Sequence, residues 1–327
     1  MSGQVTIRPE GRGEVRVLGA AVAVLLVLAY LSWTRKETKA TEEKVTITDT
    51  SADQLEGITM ITRTQTVAAE RRKLAKGDPL PYFTVEGGAR KRSFVGNKST
   101  KDLFTSFAPF VALRGLGPGL TADQLKEAKL DHPSGKLVIR TKAGDKTFEI
   151  GGRSYGARDW YLRPVGSKEV YLVASRVLSD LEFPEGRFMQ RKLRELESKD
   201  VSSAVLKAGQ KEKRMLHQNR LSEKDAYWAD SAAPDARNET IENYLSKLDG
   251  LTASTYLEPD AVKDAAQVLE VSWYEDESLK ETMTLYRTHE GDKLKYLAVS
   301  TATQLPVEVP RTTAEQLEQD LAVVIDD

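Results

Sequence analysis

An apolar run near the N-terminus constrains this chain more than any other stretch. Val17 to Thr34 contains no charged residue, and basic residues flank it on both sides. A helix needs about 20 apolar residues to cross a hydrocarbon layer, and only a helix satisfies its own backbone hydrogen bonds there. We therefore predict a single transmembrane helix over residues 17–34. The residues expected to anchor it in the membrane are Val17, Leu18, Leu25, Leu26, Leu28, Tyr30 and Trp33.

The predicted helix is typical of an uncleaved signal-anchor. Ala29 to Trp33 places bulky residues where a cleaved signal peptide needs small ones. Basic residues are nearly equal in number before and after the run, so the positive-inside rule leaves the orientation almost open. The short tail, residues 1–16, is easily retained in the cytoplasm. We expect the N-terminus inside, and the body in the periplasm of a bacterial inner membrane.

Composition excludes several classes of function. The formal net charge of −1 gives no global basis for binding nucleic acid. The absence of cysteine excludes disulfides, thiol catalysis and zinc–thiolate sites. At 327 residues, the chain is long enough for two domains of ordinary size beyond the anchor.

The pattern of the body predicts an α+β protein built from two similar halves. Residues 35–56 are expected to form a tether, although 44–48 alternates like a strand. Residues 57–198 and 199–327 each follow the order β-β-β-α-β-β-β-β-α, with short connections that favour mostly antiparallel sheets. A pseudo-repeat explains this order, and two unrelated α+β domains are the alternative.

Two predicted helices of the first half contain unusual residues. Lys101 to Leu113 has apolar residues at helical spacing, but Pro109 should kink the helix or end it early. Residues 183–197 begin with a helix breaker at Pro184 and continue as a charged stretch rich in Arg and Glu. We expect a charged helix there.

No catalytic or cofactor signature stands out. The histidines His132, His217 and His289 are far apart, and none has a second ligand type at metal spacing. Gly115 to Gly119 and Gly96 to Thr100 resemble phosphate-binding loops only in part, and no GxSxG motif is present. We therefore expect neither an enzyme nor a bound metal, nucleotide or other small-molecule cofactor.

Two surface patterns could bind a partner. Aromatic residues on predicted strands form a possible interaction surface for a peptide or a sugar, with ordinary sheet packing as the alternative. These residues are Trp160, Tyr161, Tyr171, Tyr227 and Trp228. A basic zone between Arg71 and Lys101 could contact anionic lipid or an acidic partner, with a solvated charged face as the alternative.

Spaced apolar and aromatic residues also carry a family resemblance. Between Lys136 and Leu181 the chain has a hairpin, Gly151-Gly152, Trp160-Tyr161-Leu162 and Val170 to Val173; Lys192-Leu193 and Asp200-Val201 follow. This arrangement resembles the bacterial family known as domain of unknown function 4340, over about residues 44–325. The resemblance implies a membrane-anchored extracytoplasmic protein, often associated with gliding-type ABC transporters, and supplies no catalytic residues.

Taken together, these features predict a periplasmic auxiliary subunit of an envelope complex. Its expected partners are the membrane, an integral-membrane transporter and other envelope proteins, which it would contact by protein–protein binding. A glycan- or peptidoglycan-binding protein is the alternative. An envelope hydrolase is a third hypothesis, and it requires two carboxylates that converge in a concave site.

Overall fold

The computed structural model describes residues 44–74 and 79–326, and these form one compact unit. The predicted tail, transmembrane helix and anchor residues up to Trp33 lie outside the described residues. Within the described ranges, no helix is both long and apolar enough to cross a membrane. Residues 44–56, which the sequence assigned to the tether, already carry one strand and the start of a second. The folded body therefore includes part of the predicted tether.

A nine-stranded antiparallel sheet, the first sheet, organises the N-terminal part of the body. Its order is β5-β4-β3-β2-β8-β9-β10-β11-β7, and β1 and β6 pair separately. The strands are β1 (Val45–Thr48), β2 (Leu55–Thr62), β3 (Thr66–Arg72), β4 (Leu80–Gly87), β5 (Arg90–Val95), β6 (Phe110–Ala112), β7 (Arg114–Gly117), β8 (Gly135–Thr141), β9 (Gly144–Arg153), β10 (Trp160–Pro164) and β11 (Val170–Val173). The helices are α1 (Thr100–Ser106), α2 (Ala122–Glu127), α3 (Ser175–Glu182) and α4 (Pro184–Phe188).

An eight-stranded antiparallel sheet, the second sheet, organises the C-terminal part. Its order is β14-β13-β12-β16-β17-β18-β19-β15. The strands are β12 (Ser203–Ala208), β13 (Lys211–Gln218), β14 (Tyr227–Asp230), β15 (Thr255–Tyr256), β16 (Ala266–Glu275), β17 (Ser278–Glu290), β18 (Lys293–Ser300) and β19 (Val307–Val309). The helices are α5 (Glu239–Asp249) and α6 (Arg311–Asp326), and 3₁₀ turns occupy Ser198–Asp200 and Pro259–Val262.

Alternation of side chains builds each core. In β2, Ile58 and Met60 are buried in the core of the first sheet, the first core, while Ile61 is partly exposed on the other side. In α5 and α6, buried residues recur every three or four positions. Each helix therefore covers the core of the second sheet, the second core, with one face. Tyr256 packs against both cores, and its hydroxyl donates a hydrogen bond of 2.8 Å to the Gln190 carbonyl. The two cores therefore meet at this side chain.

Several sequence-based predictions change in detail. The helix predicted over 101–113 ends at Ser106, and β6 follows Pro109. The charged helix predicted within 183–197 is wrong: only the five-residue α4 forms, and the chain then runs extended. The chain is extended there because Met189 forms an isolated β-bridge with Gly96 and Lys192 forms another with Thr252. The expected α+β class with mostly antiparallel sheets is confirmed.

Candidate functional site

The aromatic residues of the first sheet lie on opposite faces of it. Trp160 and Tyr171 pack against the first core, on neighbouring strands β10 and β11. Tyr161, one residue further along β10, packs instead on a small separate cluster around Leu130 and Val170. Side-chain alternation along β10 separates them. These residues therefore form no single exposed face.

The other two predicted aromatic residues belong to the second sheet. Tyr227 and Trp228 lie on the edge strand β14, and Trp228 packs against the second core. The Trp228 ring stacks on His217 with centroids 4.5 Å apart. The backbone N–H of Trp228 donates to Glu242, and its carbonyl accepts from Asn238. The backbone of this strand edge is thus partly occupied by residues at the start of α5.

The two indoles that could bind a sugar already have planar neighbours. The Arg153 guanidinium lies 4.5 Å from the centroid of the Trp160 ring, and His217 stacks on Trp228. A sugar stacking on either ring would compete with these groups for the ring face. The geometry therefore favours sheet packing for these side chains.

The segment that connects the two sheets is held from both sides. Gln190 N donates to the Val95 carbonyl of β5 at 2.8 Å, and Ala253 N donates to the Arg191 carbonyl at 2.8 Å. Arg194 forms an ion pair of 2.5 Å with Asp249 at the end of α5. The connection is therefore a fixed part of the fold, and it defines the junction between the sheets.

A cavity of about 600 Å³, the junction cavity, opens beside this connection. Phe104 and Val95 are buried and give it an apolar floor. Lys98 and Lys101 line it from the first sheet's side, and Glu281 lines it from β17 of the second. Its remaining lining includes Arg71, Leu80, Pro81, Asn97, Glu195 and Thr301. Residues from both sheets therefore build one concave site with basic and acidic walls.

Glu281 is the most restrained charged group of the junction cavity. Its carboxylate accepts hydrogen bonds of 3.0–3.1 Å from the backbone N–H groups of Glu195 and Leu196. Burial raises the pKa of the Glu281 carboxyl above its usual range, while these backbone donors oppose that rise. The Glu195 carboxylate accepts from the Gln190 side chain at 2.9 Å. Both acids thus have partners within the fold.

The basic wall of the cavity carries more available charge. Arg71 lies over the Phe104 ring, with its guanidinium carbon 5.4 Å from the centroid. Lys98 and Lys101 are exposed, and neither forms an ion pair with any carboxylate among the described residues. Elsewhere in the predicted basic zone, Lys91 and Arg92 are paired with Glu86 and Glu185. Available positive charge is therefore found beside the cavity.

The histidines lie in separate parts of the fold. His132 is in the loop before β8, His217 is in β13 and His289 is in β17. His217 Nδ1 lies 3.1 Å from the carbonyls of Ser198 and Val201, and burial lowers its pKa below the usual value. Within residues 44–74 and 79–326, no cluster of three His, Cys, Asp or Glu side chains could hold a metal ion.

Sequence reasoning missed the junction cavity, whose lining residues are distant along the chain. The acidic wall includes Glu281, nearly two hundred positions beyond the basic wall at Lys98 and Lys101. No local motif marks such a site. The single available signal was the basic zone, which does contain Arg71, Lys98 and Lys101.

The fold and the cavity describe an α+β body of two sheets with a concave site where they meet. Comparison with protein families matches residues 119–269 to the family described as Domain of unknown function (DUF4340). The predicted resemblance to this family is confirmed, over a shorter segment than the sequence suggested. No curated protein matches the chain, and no solved structure matches it either.

Proposed function

We propose that this protein is a membrane-anchored auxiliary subunit of an envelope complex, linked to an ABC-type transporter, that acts by binding another protein. The predicted anchor supports the membrane location, and the association with a transporter is what the family resemblance implies. The junction cavity is the observation that carries the binding role. The proposed subunit is not an enzyme and places its body in the periplasm.

The chemistry of the junction cavity suits a polypeptide segment. Its floor is apolar, Lys98 and Lys101 offer positive charge, and Glu195 and Glu281 offer negative charge. A peptide supplies apolar side chains together with both signs of charge, whereas an ion or a simple sugar does not. Its volume falls within the range of about 300–1,000 Å³ that is typical of ligand sites. We therefore place the main contact with the partner here.

Purification of the complex tests the binding role. The full chain should retain its partner when it is extracted in mild detergent. Crosslinking and mass spectrometry should then identify that partner. Reversing the charge of the basic wall with Lys98→Glu and Lys101→Glu should lose the partner, because it removes the positive charge that the partner contacts. Both lysines are exposed, so the fold should be retained. Lys146→Glu, at another exposed lysine on β9, is the matched control and should retain it. Recovery of the wild-type chain alone, or equal retention by both variants, would contradict the proposal.

The absence of native cysteine allows a direct test of the proposed orientation. A single cysteine at Ala143, in the exposed turn between β8 and β9, should react with a membrane-impermeant maleimide in intact spheroplasts. A single cysteine at Ser2 should react only after the membrane is permeabilised. The reverse pattern would place the body in the cytoplasm.

We also propose that the two sheets are copies of one α+β unit. Their strand orders support this, since β4-β3-β2-β8-β9-β10-β11-β7 corresponds strand for strand to β14-β13-β12-β16-β17-β18-β19-β15. The first sheet adds β5 at one edge. An experimental structure tests the proposal, because the eight corresponding strands should superpose as one set. If the two sheets had the same strand order but their strands did not superpose, two unrelated domains would be favoured.

One observation bears on the hydrolase alternative. Glu195 and Glu281 line the same concave site, and burial raises the pKa of Glu281, as in the acid of a glycosidase. Both Glu281 oxygens, however, accept hydrogen bonds from the connecting segment. We therefore assign Glu281 to holding the junction. Glycan hydrolysis by the full chain that is lost on Glu281→Gln, with the fold intact, would reverse this assignment.

A further inference from the structure

A second concave site, the Trp160 cavity, lies on the first sheet and has a volume of about 520 Å³. Its floor is apolar: Met60, Ile150 and Leu178 all line it and are all buried. Trp160 contributes to its wall. A concave site of this size with a buried apolar floor is typical of sites for small organic ligands.

The rim of the Trp160 cavity is basic. Arg63, Lys129 and His132 line it and are exposed. His132 lies 3.9 Å from Asp131, but among the described residues Arg63 and Lys129 form no ion pair. The acid that lines the cavity, Glu182, is already paired.

The pairing of Glu182 leaves the positive charge uncompensated. Its carboxylate lies 2.6 Å from the Arg153 guanidinium, which also covers the Trp160 ring. Its carbonyl accepts a hydrogen bond of 2.7 Å from the Gln65 side chain. Glu182 is thus fixed in the wall by two partners. The charge that faces a ligand at the rim comes from Arg63 and Lys129.

Two further features indicate an apolar ligand body and an anionic group. Phe183 lines the cavity and is 79% exposed, so its ring is available for an apolar contact with a ligand. The indole N–H of Trp160 is buried and has no hydrogen-bond acceptor among the described residues. The wall therefore contains an apolar contact and an unused donor beside the basic rim.

From these features we infer that the Trp160 cavity binds a small organic anion with an apolar body. The anionic group would lie against Arg63 and Lys129, and the apolar body would contact Phe183 and the floor. This site shares no lining residue with the junction cavity, so it is independent of the proposed partner binding.

Three soluble probes separate the two requirements. Binding is measured by isothermal titration calorimetry on the full chain in nanodiscs of zwitterionic lipid, with empty nanodiscs subtracted. 4-Phenylbutyrate has both charge and an apolar body, 4-phenylbutyramide keeps the body without charge, and acetate keeps the charge without the body. We expect 4-phenylbutyrate to bind about tenfold more tightly than either of the others, because both features contribute.

Variants at exposed positions locate the binding. Arg63→Glu with Lys129→Glu should weaken 4-phenylbutyrate about tenfold, while the matched control Lys146→Glu should change it less than about twofold. Thr64→Trp should also weaken it by filling the mouth of the cavity, at an exposed position that tolerates a larger side chain.

The outcomes are distinct. Equal binding of the acid and the amide, no binding of the acid, or binding unchanged by the double variant and by Thr64→Trp would each overturn the inference. Far-ultraviolet circular dichroism of each variant shows whether it is folded. If the double variant were unfolded, Thr64→Trp alone would decide the matter.

Discussion

The two sheets share a strand order but differ in what covers them. The second sheet is covered by the long amphipathic helices α5 and α6, which bury Leu245 and Leu317 in one continuous core. The first sheet is covered by shorter helices, loops and the small β1–β6 pair. The Trp160 cavity lies where α3 ends against the first sheet. The shorter segments leave the Trp160 cavity open above a buried apolar floor, so we expect small-ligand binding on the first sheet.

A matched pair of core truncations tests this contrast most strongly. Leu317 in α6 and Leu178 in α3 are both fully buried. Leu317→Ala should lower the free energy of unfolding by about 4 kcal/mol, because it leaves a closed void. Leu178→Ala should cost about 2–3 kcal/mol, since Leu178 borders the open Trp160 cavity and water can enter the space. Urea unfolding of the full chain in mild detergent measures both, and a larger cost at Leu178 would break the comparison.

Cross-strand ion pairs give the next largest difference. On the second sheet, Lys213 lies 2.6 Å from Asp230, and their side chains are 7% and 20% exposed. On the first sheet, Arg163 lies 2.7 Å from Glu149, with 22% and 25% exposed. Lys213→Met should cost about 2 kcal/mol, because it leaves Asp230 charged in a mostly buried position, and Arg163→Met should cost about 1 kcal/mol. Equal costs in urea unfolding would show that the second sheet is no more closed than the first.

The strands of both sheets were largely predictable, because their chemistry is local. Alternation of apolar and polar residues marked β2, and the Ala143-Gly144 turn marked the β8–β9 hairpin. The edge strand β5 was missed, since Arg90, Lys91 and Arg92 show no alternation and pair only through β4. The short helix α2 was also missed, although its capping box is visible in the sequence: the Thr121 side chain accepts from Gln124 N, and the Gln124 side chain accepts from Thr121 N.

The candidate sites were much less predictable, because they depend on packing between distant segments. The extended connection after α4 looked helical in the sequence, and contacts with distant segments, including its bridges to Gly96 and Thr252, hold it extended. Glu195 of that connection lines the junction cavity. The aromatic residues were found correctly as strand residues, but their positions relative to Arg153 and His217 arise from the tertiary structure.

His217 gives the second sheet a pH dependence that sharpens the comparison. Burial lowers its pKa below 6.5, so the folded protein holds the neutral ring while the unfolded chain binds a proton more readily. Stability should therefore fall as the pH drops below 6.5. His217→Phe keeps a ring against Trp228 and should remove this fall. His289→Phe, at an exposed histidine of β17, is the control and should leave it unchanged. Urea unfolding at pH 5.5 and 7.5 measures the effect.

We expect the smallest effect on stability from a substitution of Glu281, which lies where the two sheets meet. Because burial raises its pKa above 4.5, the folded protein binds a proton more readily than the unfolded chain, and stability should decline as pH rises from 4.5 through the folded pKa. Glu281→Gln cannot ionise, yet its side-chain oxygen can still accept from Glu195 or Leu196. We expect a change in the free energy of unfolding below about 1 kcal/mol at pH 7 and a shallower decline of stability above pH 4.5. The exposed Glu277→Gln serves as the control. If Glu281→Gln instead cost several kcal/mol at pH 7, the charge itself would hold the junction, and the two sheets would depend on it to pack as one body.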